Sequence, residues 1–594
     1  MNAEILNEYF VNITKNLDIP EFITEVLLVE TEYMDSIDEI IHKYSKHLSI
    51  IKINEIVKPT EEFLFCEVDE MIIEQEILKL NGKKCAGPDA IPPKVIKDSI
   101  KVINPRLTKL FNTTVKGNFF PSDLKYGNIS PIFKKNDNTK KENYRPISIL
   151  PSISKIFERL MFQQTTSFIS KFLSPYLCGF RKGYNAQHAL LRLKNILNQS
   201  LDRNEKVGLI MMDLSKAFDC IPHELLIAKL NAYGFSKRSL QLILSYLKGR
   251  HQRVKINSEY SSWKVILDGV PQGSVLDPLL FNIFINDLFL FVQNSDVCNY
   301  ADDNTLSVAD ANVSTIIDKL ENDIENLRSW FKSNGMLLNG DKCQFLLIES
   351  SRATRIDTAK IKIGDNYVEE SKKGKLLGIN FDNNLTMDDH IKCLCKQASS
   401  KMHALARISP FLNEHKRKIL MKSFIVSQFN YCPLIWMYCK RKSNNLINRI
   451  HERALRIAYN DYISDFNSLL RKDNTVTIHQ RNIQVLTTEI YKTLNDLNPT
   501  LMKEVFCVKE HKFFTRKQNL TYPNPRTVSY GVETFGYKAS QIWRNIPNDI
   551  QQIENISIFK NKITNYCENI CNCNICKPYV ENLGYVDSNI AKSL

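Results

Sequence analysis

Apolar positions along residues 1–80 recur at helical spacing in three runs, EILNEYF, ITEVLLVETEYMDSIDEIIHKY and VDEMIIEQEILKLNG, the last stopping at Gly82. The segment KKCAGPDAIPPKVIK follows and reads as a turn-rich hinge. Further on the rhythm changes. NISPIF (128–133) reads as a short strand before a basic polar loop, and a helix begins near Ser154 with Ile156, Phe157, Leu160 and Met161 on one face. KVGLIMMD (206–213) is an unbroken apolar run ending in an acid, the pattern of a buried strand. Pro222 opens a helix that stops at Gly234, and Ser236 caps the next. QRVKI and WKVIL flank a polar turn as a hairpin, and GVPQGS opens a helix through Leu290. VCNY and TLSV are strands around the acidic turn ADDN, followed by a helix that ends at Gly335 and by the short strands FLLI and KLLGINFD. Strands and helices mix without a βαβ rhythm, so the expected class is α+β. From Asp388 to Tyr459 the spacing predicts long helices, and 461–594 is mixed and polar.

Charge divides the chain unevenly. There are 79 Lys and Arg against 65 Asp and Glu, yet residues 1–80 hold 6 Lys against 18 acids, so the whole net positive charge lies in the body. An acidic head on a basic body points to a polyanion partner for the body. A composition 43% hydrophobic and 10% aromatic excludes overall disorder and lets cores form without disulfides. The most apolar helical stretch, Leu279 to Val292, is interrupted by Asn282, Asn286 and Asp287 and falls short of the roughly 20 residues of a membrane span. The N-terminus has neither the basic nor the apolar region of a secretory signal. The 15 cysteines are odd in number and mostly scattered, which fits a reducing, intracellular compartment.

Two groups of residues carry candidate chemistry. Asp213 ends a buried strand and Asp302 and Asp303 sit on a hairpin tip, so a sheet can gather three carboxylates around hard divalent cations such as Mg²⁺. Asp219, near Pro222, reads instead as a helix cap. Cys567, Cys571, Cys573 and Cys576 form C-x3-C-x-C-x2-C, four thiolates able to close a tetrahedral Zn²⁺ site or to remain as reduced structural thiols. Between Lys401 and Arg456, 12 Lys and Arg stand against 2 Glu, interleaved with Phe411, Phe424, Phe429, Tyr431, Trp436 and Tyr438. The cations suit phosphates, and the aromatics, Trp436 included, are expected to face the core.

Read in order, NYRPISIL (143–150), GFRKGYNAQHALL (179–191), MMDLSKAFDCIPHELL (211–226), GVPQGSVLDPLLFNIFINDL (269–288), YADD (300–303), LNGDKCQFLLI (338–348) and KLLGINFD (375–382) resemble the reverse transcriptase family. The resemblance is closest to the polymerases of non-LTR, LINE-type retrotransposons of the jockey-like group. It includes KKCAGPDAIPPKVIK upstream and FIVSQFNYCPLIWMYCKRKSNNLINRIHERALRIAYND in the thumb region, and extends over roughly residues 60–590.

That resemblance implies a right-hand polymerase. Its parts are an acidic helical segment (1–80), fingers with an N-terminal extension (81–205), a palm (206–387), a basic helical thumb (388–460) and a C-terminal region bearing the Cys cluster (461–594). It implies an RNA-directed DNA polymerase extending a primer 3′-hydroxyl with dNTPs. Asp213, Asp302 and Asp303, with the Leu214 carbonyl, would hold two Mg²⁺ ions, with Mn²⁺ as a substitute. Lys134, Lys135 and Arg145 would neutralise the triphosphate, Phe218 would exclude a ribose 2′-hydroxyl, and Gln272 and Gly273 would contact nucleotide and template. Lys342 would protonate pyrophosphate, and Leu377 and Gly378 would form a primer grip. The implied partners are an RNA template, a DNA primer or target and dNTPs. The implied setting is the nucleus during reverse transcription, with a cytoplasmic ribonucleoprotein stage. The alternative is a catalytically inactive remnant that still binds nucleic acid. Two departures stand out. The upstream endonuclease domain of the jockey-like elements has no counterpart in the acidic head. Asp277 stands where the family has Gly, a poor fit if the position needs positive φ or close packing.

Overall fold

The computed structural model describes residues 2–13, 36–135, 137–214, 216–350, 358–509, 519–566, 570–571 and 573–576. The fold is α+β. Nine strands carry the two larger sheets: β1 (Tyr126–Phe133), β2 (Tyr144–Ile149), β3 (Lys206–Met212), β4 (Arg250–Ile256), β5 (Glu259–Tyr260), β6 (Lys264–Ile266), β7 (Asp296–Tyr300), β8 (Asp303–Asp310) and β9 (Gln344–Ile348). The chain divides into two compact units, one of residues 1–180, 212–293 and 322–342, the other of 181–211, 294–321 and 343–594.

The first unit is built on a sheet in the order β2-β1-β4-β5, with β6 also on β4. β1 and β2 are antiparallel, while β1 and β4 are parallel. The expected N-terminal helix forms over Ala3–Val11 and seats Leu6 and Phe10 on Ile129 and Val254. Its outer face pairs with the sheet, since Glu4 accepts from Ser262 and Glu8 pairs with Lys264. Of the second expected helical run, residues 23–35 lie outside the described residues; its end is the helix Ile37–Lys43, opened by a Ser36–Glu39 capping box.

The polar residues that interrupt the apolar stretch 279–292 are core partners in this unit. Helix Asp277–Ile285 continues as a 3₁₀ turn to Leu290. Asn282 donates to the Gly179 carbonyl, and Asn286 donates to the Phe172 carbonyl and the Tyr233 hydroxyl. Asp287 and Lys229, both 0% exposed, pair at 2.6 Å, and Trp330 donates to the second Asp287 oxygen at 2.7 Å. A buried pair is tolerated when its remaining lone pairs are satisfied in this way. No described helix is long and apolar enough to cross a membrane.

The second unit holds the sheet β7-β8-β3-β9. β3 is buried along nearly its whole length, as its apolar run requires. Gly208 lets the following layer close on it, because a Cβ there would sit 2.4 Å from Ile316 Cγ2. Long helices form over Asp388–Ile408 and Arg441–Tyr459, but between them lies a shorter helix, Glu414–Leu420, whose backbone changes winding over Met421–Ile425 and Val426–Phe429. Cys432 takes φ +44° ahead of Pro433, which opens the one-turn helix Pro433–Trp436 and cannot continue a preceding one. The aromatics there divide. Phe429 and Trp436 are core, as expected, whereas Phe411 is 87% exposed and Phe424 and Tyr431 are about half exposed, contrary to expectation. The C-terminal region is helical over Ile478–Leu494, Phe535–Arg544 and Ile556–Tyr566. Every described cysteine is a free thiol.

Candidate polymerase site

Asp213 follows directly on the last residue of β3. Its backbone carbonyl accepts from Asn339 N–H at 2.9 Å, and Leu214 bridges to Leu338 antiparallel. This backbone pairing brings the LNGDK turn alongside, and Lys342 Nζ lies 3.0 Å from Asp213 Oδ2. The exposed Lys134, which leaves the end of β1, belongs to the same electrostatic group. Partial burial and then Arg145 hold its ammonium below the usual lysine range; Lys342 and Lys135 add to this and Asp213 opposes it. Arg145 is brought there by register, opposite Ile132 in the β1–β2 pair. Lys342 and Lys134, from two chain segments, thus face the Asp213 carboxylate, with Arg145 and Lys135 as electrostatic neighbours of Lys134, an arrangement suited to a polyphosphate beside an acid.

The next loop meets the GVPQGS loop within the same unit. Phe218 is half-buried and stacks on Phe281, centroids 4.2 Å apart, with Phe180 edge-on at 5.8 Å. Its carbonyl accepts from Val270 N–H. Asp219 does not cap the following helix, whose N-cap is Pro222 without a side-chain bond. Instead Gln272 Nε2 donates to Asp219 Oδ1 at 2.7 Å, and burial pushes the Asp219 carboxyl up to about 6. The Gln272 carbonyl accepts from Ser148 N–H at 2.7 Å. Gly273 has φ +117°, and a Cβ there would lie 2.9 Å from the Ser148 oxygen, so both conformation and space demand glycine.

Asp277 has no positive φ, so that part of the expected misfit does not apply. It is fully buried as the first residue of its helix, accepts the Ser274 hydroxyl at 2.6 Å and donates its N–H to Ser274 Oγ. Burial, with Glu158 nearby, holds its carboxyl well above the usual range. Glu158 is itself buried, accepts from Val275 N–H at 2.7 Å and from Ser154 and Tyr246 hydroxyls, and is pushed up by burial.

In the second unit β7 and β8 pair from Asp296↔Ser307 to Tyr300↔Asp303, leaving Ala301 and Asp302 as a two-residue turn with Ala301 at φ +58°. Two buried asparagines hold it. Asn299 donates to the Ala301 carbonyl and to Asn304 Oδ1, and Asn304 donates to the Asp302 carbonyl. β8, which begins at Asp303, is the neighbour of β3, the strand that ends just before Asp213. Leu377 and Gly378 form the turn of the hairpin Lys373–Leu376 and Ile379–Asp382, at φ +46° and +81°. Leucine in that region is strained, and Tyr431 holds it by donating its hydroxyl to the Leu377 carbonyl at 2.7 Å. Tyr431 also has Tyr300 and Asp303 as electrostatic neighbours.

Of the C-terminal cysteines, Cys567 lies outside the described residues. Cys571, Cys573 and Cys576 converge with a histidine the cysteine spacing did not indicate, His479; one ligand atom from each lies within 4.8 Å of the others. Sequence reading also passed over Asp219, Glu158, Asn299, Asn304 and Tyr431 in their observed roles. Asp219 had a signal in its adjacency to Phe218, and Tyr431 in its place among the interleaved aromatics. His479 had none.

The chain is similar to known proteins over much of its length. Residues 132–381 match the family described as reverse transcriptase (RNA-dependent DNA polymerase). A relative is the probable RNA-directed DNA polymerase from transposon BS of Drosophila melanogaster, 27% identical over 66% of this chain and 44% of the relative. Another is the RNA-directed DNA polymerase from mobile element jockey of Drosophila funebris, 26% identical over 65% of this chain and 43% of that one. The chain therefore spans less than half the length of these relatives. Among solved structures, apo telomerase from Candida tropicalis, truncated from the C-terminal domain, aligns with TM-score 0.32 and 14% identity over 44% of this chain and 53% of that one.

Proposed function

Because residues 132–381 carry a reverse transcriptase domain, we propose that this chain copies an RNA template into DNA by extending a primer 3′-hydroxyl with dNTPs, as the polymerase of a jockey-like non-LTR retrotransposon. The observation that carries the reading is the cluster in which Lys342 and Lys134 face Asp213 while Arg145 and Lys135 neighbour Lys134. The division into fingers (81–205), palm (206–387) and thumb (388–460) belongs to the same proposal.

Asp213, Asp302 and Asp303, with the Leu214 carbonyl, would hold Mg²⁺. The donor set fits: hard oxygen donors at strand ends, with Asp213 ion-paired to an exposed, displaceable lysine. When bound, Mg²⁺ makes the 3′-hydroxyl a stronger nucleophile and neutralises charge on the phosphates. The four cations orient the triphosphate, so that the bond from the 3′-oxygen to the α-phosphorus forms as the hydroxyl gives up its proton to water and the bond to pyrophosphate breaks. Lys342 gives a proton to that leaving group. Phe218, its ring fixed by Phe281, crowds the sugar's 2′ position. Gln272 and Gly273 present the loop to nucleotide and template, and Leu377, Gly378 and Tyr431 grip the primer. The partners are thus an RNA template, a DNA primer or target and dNTPs, and the setting is the nucleus during reverse transcription, with a cytoplasmic ribonucleoprotein stage. At the chain's end the finer reading is a Zn²⁺ ion among the clustered cysteines, a soft donor set unlike that of the carboxylates.

The test is primer extension on a defined RNA template with dNTPs and Mg²⁺. Wild type extends, Asp302→Asn does not, and circular dichroism is unchanged. No extension by wild type with RNA binding retained would make the chain an inactive remnant.

A further inference from the structure

The last cysteines of the chain are completed by a histidine from far upstream. We infer that a zinc ion is held by His479, Cys571, Cys573 and Cys576, and that it fastens the C-terminal segment to the helix Ile478–Leu494. This rests on the zinc reading above and changes its ligand set: His479 takes the place given to Cys567.

The geometry is close to that of a tetrahedral site. Zn–S bonds of about 2.3 Å and Zn–N of about 2.0 Å place ligand atoms roughly 3.5–3.8 Å apart. Here all four atoms lie within 4.8 Å of one another, and Cys573 Sγ is 3.3 Å from His479 Nε2. Side-chain adjustments of about 1 Å close the remainder. Three sulfurs and an imidazole select zinc over the hard cations that carboxylates prefer.

The histidine is oriented for this task. His479 Nδ1 lies 3.2 Å from the Met437 carbonyl, which can only accept. Nδ1 therefore carries the proton, and the Nε2 lone pair faces the sulfurs, the outer-shell arrangement that metal-bound histidines use. The ring is further held edge-on to Tyr438 at 6.3 Å. Its backbone is fixed in the first turn of a helix with a Thr477–Gln480 capping box. On the other side Cys573 and Cys576 share a tight turn, Cys576 N–H donating to the Cys573 carbonyl at 3.0 Å, and Asn545 holds the approach through the Ile570 carbonyl. His479, Cys571 and Cys573 are buried.

Four protein ligands leave no position for substrate, so the site is structural. It ties a short cysteine loop to a helix and, through Met437, to the segment after helix Pro433–Trp436. A closed site of this kind contributes its binding free energy to the ordering of the segment it captures.

The experiment measures zinc per chain by mass spectrometry on the full-length protein after dialysis against a weak chelator. Wild type should carry one zinc, as should Cys567→Ser and Cys439→Ser, the latter a neighbour that the geometry leaves out. Cys573→Ser and His479→Ala should lose zinc or bind it about tenfold or more weakly. His479→Cys, which restores a fourth soft ligand, should recover it. Cobalt in place of zinc should give tetrahedral thiolate absorption that changes in His479→Cys, so the assignment can be read even if His479→Ala does not fold. No zinc in wild type would overturn this inference together with the reading it rests on. Zinc kept by His479→Ala and lost by Cys567→Ser would overturn this inference alone.

Discussion

Removing the Lys342 charge should tighten divalent-cation binding while slowing extension. Lys342 Nζ sits 3.0 Å from Asp213 Oδ2, with the two side chains 62% and 40% exposed. A cation that takes Asp213 as ligand must displace that ammonium. Pairs this exposed are worth about 0.2–1 kcal/mol. At about 1.4 kcal/mol per tenfold, Lys342→Gln should lower the half-saturating Mg²⁺ concentration by roughly 1.4- to 5-fold. Repulsion between Lys342 and the bound cation acts in the same direction and weakens as salt is raised. Turnover should fall in the same variant, because a cation facing the triphosphate and the proton for pyrophosphate are both lost. Primer extension across a Mg²⁺ series at fixed salt gives both numbers, and Mn²⁺ binding followed by electron paramagnetic resonance isolates the cation from the chemistry. A half-saturating concentration that is unchanged or higher would refute the assignment of Asp213 as the displaced ligand.

Three further outcomes follow from contacts at the site. Tyr431→Phe removes the hydrogen bond that holds the strained Leu377 turn; at about 0.5–1.5 kcal/mol it should raise KM for primer–template roughly 2- to 10-fold with kcat little changed, and an effect on kcat alone would argue against a gripping role. Gly273→Ala places a Cβ against the Ser148 oxygen at an unfavourable φ, costing about 1–3 kcal/mol, and extension should fall while circular dichroism stays the same. Asp277→Asn tests the buried acid. Because the folded state holds the Asp277 carboxyl well above its ordinary value, wild type binds the proton more tightly when folded and loses stability as pH rises from about 4 through the raised value. The asparagine variant lacks that loss, so its advantage in unfolding free energy should widen with pH, by at most about 1.4 kcal/mol per pH unit; a gap that stays constant as pH rises from about 4 would contradict the raised carboxyl.

Much of the architecture was legible because it is local. The apolar run before Asp213 and the capping Ser236 are set by neighbours in the chain and form as read, and the acidic turn of the YADD hairpin forms too, shortened to Ala301 and Asp302 because pairing starts at Asp303. The interrupted region between Leu420 and Trp436 was not, because helical spacing continues through it while Cys432 and Pro433 break the backbone. Asp277 shows the same limit. Its type predicted a misfit; the Ser274 hydroxyl that receives it is three residues away, but the Glu158 carboxyl that perturbs it belongs to a contact the spacing does not encode.

By itself the sequence determined the class of the fold, the order of its motif blocks, the carboxylates and cations they carry, and the separation of an acidic head from a basic body. These depend on periodicity, composition and short spacings, which a linear chain displays directly. Only the tertiary structure decided which partners those residues have. Lys342 stands at Asp213 because backbone pairing at Asn339 brings it there. Gln272 is held by Asp219, and Tyr431 reaches the Leu377 turn. His479 joins cysteines some ninety residues further on because a helix and a terminal loop pack together. Such pairings arise where packing and burial bring distant segments into contact, and no local pattern of residue types records them.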